Sequence, residues 1–86
     1  MRSSIVGETK TRILLLLMDG EDYQYSLLDR FDISQPSLHE HLQDLESAGL
    51  IERDERGDRV YYSLTNIGET FSEALQSMEE YQAENE

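Results

Sequence analysis

The sequence predicts a mainly α fold with one small β-hairpin and a long C-terminal helix. Three observations carry this. Leu38, Leu42 and Leu45 form an apolar stripe at helical spacing, between Ser34 as a cap and Gly49 as a stop. Val60, Tyr62 and Leu64 alternate with Tyr61 and Ser63, the period-two pattern of a strand, behind a turn that contains Gly57. Ile67, Phe71, Ala74, Met78 and Tyr81 recur at spacings of 4, 3, 4 and 3, a seam two heptads long.

Each element follows from its residues. A first helix is expected from Glu8 to Met18, with Glu8 and Arg12 paired at i,i+4, an apolar run from Ile13 to Met18, and Gly20 as its end. Tyr23 to Tyr25 reads as a short strand. Ser26 and Asp29 have the spacing of a capping box that would open a short helix from Leu27 to Phe31. Asp32 stands at a turn, where aspartate tolerates the left-handed conformation, and Ile33 returns to the core. Ser34 caps the third helix, and Pro36 fits in its first turn because those N–H groups lack helical partners. Gly49 stops it, and Leu50-Ile51 re-enters the core. The hairpin follows, and Thr65 caps a last helix running to about Gln82. The final "ENE" is expected to fray.

Length and composition bound the function. At 86 residues the chain predicts a single domain over 1–86, burying about 60% of its unfolded surface. There are no cysteines, which removes disulfides, thiolate metal sites and cysteine nucleophiles. The first residues lack a secretion signal and the longest apolar run is six residues, so a cytoplasmic protein is expected. No glycine-rich phosphate loop, His–carboxylate metal spacing or Ser–His pair is present, so neither enzyme activity nor a cofactor is predicted.

The charge is unusual. Nineteen acids face seven bases, a net charge of −12, and Lys10 is the one lysine. Carboxylates hold a hydration layer in multimolar salt where lysine's apolar stem is a liability, so the composition points to a halophilic protein. Three of the seven bases fall between Arg53 and Arg59, whereas residues 66–86 carry six acids and no base.

Helix, short helix, turn, capped helix and two-stranded ribbon is the order of a winged helix-turn-helix domain. "SQPSLHEHLQDLESAGLIE" resembles the corresponding run of ArsR-like and related archaeal winged-helix transcription regulators. "YYSLTNIGE" is similar to the run that closes the wing in that group and in haloarchaeal phage-repressor-like proteins. The resemblance spans about residues 10 to 75. It implies a sequence-specific DNA-binding regulator, with repression as the expected sense. Two departures stand out. The cysteine pair of ArsR-like metal sensors is absent, and the outer face of the third helix holds Glu40, Gln43 and Asp44 where family members carry bases.

In that framework the third helix enters the major groove by the N-terminal part of its outer face. Candidate DNA contacts are Ser34, Gln35, Pro36, Ser37, His39, Glu40 and Gln43, with Arg56 and Arg59 on the wing. Glutamine can pair with adenine and glutamate can accept from cytosine N4. Ser34 and Ser37 suit a phosphate at a helix start, and arginine suits a narrow minor groove. The plainer readings are a solvated helix face, and local pairing of the wing arginines with Glu55 and Asp58. His41 is expected to pack at the core rim with one hydrogen bond. Lys10, Arg12 and Arg30 are candidates for lying near phosphates. The 67–82 helix is expected to form a two-fold homodimer through Ile67, Phe71, Ala74, Met78 and Tyr81, with Ile67 and Phe71 also packing within the monomer. The partners expected are double-stranded DNA and a second copy, with no membrane and no small-molecule effector. The alternative is an acidic winged-helix module that binds protein and not DNA.

Overall fold

A computed structural model describes residues 7–84, and Asn85 and Glu86, part of the tail expected to fray, lie outside them. The elements run α1 (Gly7–Leu17), β1 (Asp22–Tyr23), α2 (Gln24–Arg30), α3 (Gln35–Ser47), β2 (Ile51–Arg56), β3 (Arg59–Leu64) and α4 (Asn66–Glu84). This is the winged helix-turn-helix expected, with α2 and α3 as the helix-turn-helix and β2–β3 as the wing.

The third helix forms as its residues dictate. Ser34 Oγ accepts from the Ser37 N–H at 3.2 Å, and Pro36 occupies the first turn. At the far end Gly49 takes φ +80°, and two bonds close the helix: Leu50 N–H to the Leu45 carbonyl and Gly49 N–H to the Glu46 carbonyl, both 3.0 Å. That pair is a Schellman motif, and it needs the left-handed residue that glycine supplies.

The core is one cluster. Ile13, Leu14 and Leu17 of α1 meet Leu27, the stripe of Leu38, Leu42 and Leu45, then Leu50, Ile51, Tyr62 and Leu75. Phe31 and Ile33, from the turn between α2 and α3, pack on its edge.

The short strand expected at Tyr23–Tyr25 forms at Asp22–Tyr23 and pairs antiparallel with Tyr62–Tyr61, giving a three-stranded sheet in the order β1-β3-β2. Three local expectations are corrected. Helix α2 begins at Gln24, so the capping box never forms. Ser26 lies inside the helix and its hydroxyl donates to Asp22 Oδ2 at 3.1 Å. Asp32 does not take the left-handed conformation; among the described residues every positive φ belongs to glycine. Glu8 and Arg12 make no ion pair. Instead α1 is tied to α3 by Lys10 Nζ and Asp44 Oδ2 at 3.0 Å.

The last helix carries the largest correction. Ile67 does not pack within the monomer and is 68% exposed. The residues that face the core are Gly68, Ser72 and Leu75, with Phe71 half-buried beside them. On a helical projection the two stripes are centred roughly 100° apart. Ile67, Ala74, Met78 and Tyr81 therefore stay on the surface of α4.

Candidate nucleic-acid interface

Helix α3 buries Leu38, Leu42 and Leu45 and leaves Gln35, Pro36, His39, Glu40 and Gln43 exposed, with Ser34 exposed at the cap and Ser37 half-buried. All seven α3-side candidates thus lie at or near the surface, at the N-terminal half of the helix and its cap. Asp44 is set apart from the other acids of α3. Its carboxylate pairs with Lys10 of α1 at 3.0 Å. His41 is half-buried as expected. Its Nδ1 is buried without a hydrogen-bond partner.

The wing follows α3 directly. Strands β2 and β3 pair from Ile51↔Leu64 to Arg56↔Arg59, leaving a two-residue turn of Gly57 and Asp58. Gly57 has φ +63° and Asp58 does not share a positive φ, which is the type II′ pattern suited to a tight hairpin.

Alternation then sorts the side chains. Tyr62 points inward, while Asp54, Arg56, Arg59 and Tyr61 share the outer face with Tyr23 of β1. There they form a chain of contacts. The Arg56 guanidinium lies 4.5 Å from the Tyr61 ring centre, Tyr61 and Tyr23 lie 5.8 Å apart, and Arg59 stacks 4.5 Å from the Tyr23 ring. Such cation–π contacts hold an arginine's plane while leaving its edge available.

Arg56 is also ion-paired. Its Nη1 and Nη2 both donate to Glu21 at 2.7 Å, a fork-to-fork pair, and its Nε donates to Asp54 at 2.7 Å. The bond to Arg56 holds the Glu21 carboxyl below its usual range, and the bonds to Glu21 and Asp54 push Arg56 further up. Glu21, in the loop before β1, went unremarked in the sequence because 35 residues separate it from Arg56. The wing arginine Arg56 is thus paired locally, but with Asp54 and with Glu21, while Glu55 pairs with Arg53.

Two other described bases are paired as well: Lys10 with Asp44 at 3.0 Å and Arg30 with Asp22 at 3.2 Å. Arg12 is exposed. The structure also contains an open groove of about 490 Å³ between the end of α1, β3 and α4, with Glu21, Glu69 and Glu73 among its lining. Its walls join the end of α1 to the β3–α4 segment, two stretches far apart in the sequence. No group of His, Cys, Asp and Glu able to hold a metal occurs among the described residues, and no described helix is long and apolar enough to cross a membrane.

Comparison with known proteins matches this architecture. The chain is 36% identical over 61 residues to the transcriptional repressor SdpR of Bacillus subtilis, covering 71% of this chain and 68% of that one. It is 30% identical over 63 residues to the transcriptional activator HlyU of Vibrio cholerae, covering 73% of this chain and 58% of HlyU. The solved structure of that HlyU superposes with a TM-score of 0.76 at 29% identity, over 84% of this chain and 79% of the other. ZitR of Lactococcus lactis superposes at 0.83 over 93% of this chain and 63% of its own, at 19% identity, a likeness of fold alone. The family model described as HxlR-like helix-turn-helix matches residues 5–86. With the capped reading helix, the wing and the long last helix all in place, the chain belongs to the HxlR-like helix-turn-helix family.

Proposed function

We propose that this chain, a DNA-binding transcription regulator, acts as a cytoplasmic homodimeric repressor adapted to high salt, without catalysis of its own. The observation that carries this reading is the pairing of a capped, outward-facing α3 with an adjacent wing bearing Arg56 and Arg59. Ser34, Gln35, Pro36, Ser37, His39, Glu40 and Gln43 meet the major groove, and the two wing arginines meet the neighbouring backbone or minor groove. The repressing sense is supported by the likeness to SdpR, the more identical of the two relatives. The dimer is supported by Ile67, Ala74, Met78 and Tyr81, exposed along one stripe of α4.

The salt adaptation is supported by the net charge of −12 and the single lysine, and it suits a regulator of haloarchaeal type. A protein so acidic is repelled by DNA in dilute buffer. The Debye length shrinks to about 3 Å at 1 M salt, so repulsion between distant charges fades and short-range contacts decide.

Fluorescence anisotropy with the chain's own upstream DNA, from dilute to multimolar KCl, tests this. Sequence-dependent binding that persists or strengthens at high salt is expected. Absence of binding at every salt concentration sinks the reading and leaves the acidic protein-interaction module in its place.

A further inference from the structure

Arg56, the wing cation bound by two carboxylates, is already occupied by one that has the shape of its intended ligand. Glu21 presents two oxygens to the two terminal nitrogens, as a phosphate would, and Asp54 takes the remaining Nε–H. The side chains of Arg56 and Glu21 are 48% and 41% exposed, so a backbone phosphate can reach the pair without unfolding anything. The stack on Tyr61 keeps the guanidinium plane fixed if Glu21 leaves.

We propose that Glu21 is an exchangeable counterion for Arg56, surrendered when the wing meets DNA. The proposal rests on the DNA-binding reading above. Its consequence is a matter of ion counting. An ordinary arginine–phosphate contact releases about one condensed cation from DNA, and that release makes affinity fall with salt. Here the phosphate gives up its cation and Glu21, now bare, gathers one from solution. The two nearly cancel, so the Arg56 contact becomes nearly indifferent to salt. The same exchange weakens the contact in dilute buffer, where Glu21 competes best.

The test is anisotropy on the full chain with its upstream DNA across a KCl series, comparing wild type, Glu21→Gln, Arg56→Ala and the double variant. Glu8→Gln removes an equal charge from α1 as a control. In dilute salt Glu21→Gln binds about two- to fivefold tighter, the scale of an exposed ion pair. Its plot of log affinity against log salt steepens by about 0.9, one phosphate contact, so the gain is lost within about one decade of rising KCl. In the Arg56→Ala background the Glu21 substitution changes nothing.

Three outcomes overturn the proposal while DNA binding stands: an unchanged slope and affinity in Glu21→Gln, an equal effect from Glu8→Gln, or a gain that survives Arg56→Ala. Binding lost in Glu21→Gln alone also overturns it, since Glu21 would then position Arg56 and not compete for it. Binding by none of the variants at any salt overturns the functional reading itself, and this proposal with it.

Discussion

Gly68 sits where no other residue fits. A Cβ at this position would run into the backbone carbonyl of Leu50, which has no flexible side chain to yield. The start of α4 is thereby pressed against the end of α3, where Thr65 completes the joint. Its hydroxyl donates to the Gly49 carbonyl at 2.7 Å and accepts from the Gly68 N–H at 2.9 Å, while the Thr65 N–H bonds the Leu50 carbonyl at 3.1 Å. Gly68→Ala is expected to cost about 1–3 kcal/mol or more, as overpacking against an unyielding neighbour does. Urea unfolding measures it, and a variant as stable as wild type would mean the helices do not approach so closely. A second single-residue effect belongs to Tyr62. Burial pushes its phenol above the ordinary tyrosine range, opposed by the nearby Arg53. The folded chain therefore holds this proton where the unfolded chain has lost it. The contribution is complete below about pH 10 and declines as pH rises beyond it. Melting temperature should fall more steeply above pH 10 in wild type than in Tyr62→Phe; equal slopes would remove Tyr62 as the cause.

At the scale of elements, what could be read from sequence depended on the range of the interaction. Helix α3 was legible in full, since its cap, its stripe and its stop are contacts within one segment. The β2–β3 hairpin was legible too, because a two-residue turn joins its strands. Strand β1 was half-seen: Tyr23 has strand character, but its partner Tyr61 lies 38 positions on, and only the fold brings them together. The capping box failed because Asp22 offered the Ser26 hydroxyl a better partner from outside the helix. The two faces of α4 were confused for a similar reason. The heptad stripe is the more apolar, yet the fold buries Gly68 and Ser72 because small residues allow closer approach. Of the candidate site, the positions on α3 and the wing were readable. The state of the cations was not, as the ion pairs Lys10–Asp44, Arg30–Asp22 and Arg56–Glu21 all join separate elements.

At the scale of the molecule, Ile67, Ala74 and Met78 of the α4 stripe are exposed among the described residues. Met78 is 46% and Tyr81 67% exposed, on a surface otherwise dense in carboxylates. Two copies laid stripe to stripe would bury it, and a two-fold pair sets two reading helices about one DNA turn apart, ~34 Å. Placing a charge at the centre of that stripe tests the arrangement. Met78→Glu is expected to sediment as a monomer with its melting behaviour little changed, because Met78 contributes nothing to the core. A variant that remains dimeric points to another interface.

The joint of Gly49, Leu50, Thr65 and Gly68 has a mechanical consequence. The reading helix ends and the last helix begins at the same bolted point, and the wing leaves and returns through it. Farther out the hairpin is held by β1, paired with Tyr61 and Tyr62, and by the Arg56–Glu21 ion pair. The joint therefore couples the helix that reads directly to the helix proposed to assemble. In the proposed dimer, the pitch between two reading helices is then set by how two copies meet, and a signal delivered at that meeting retunes it.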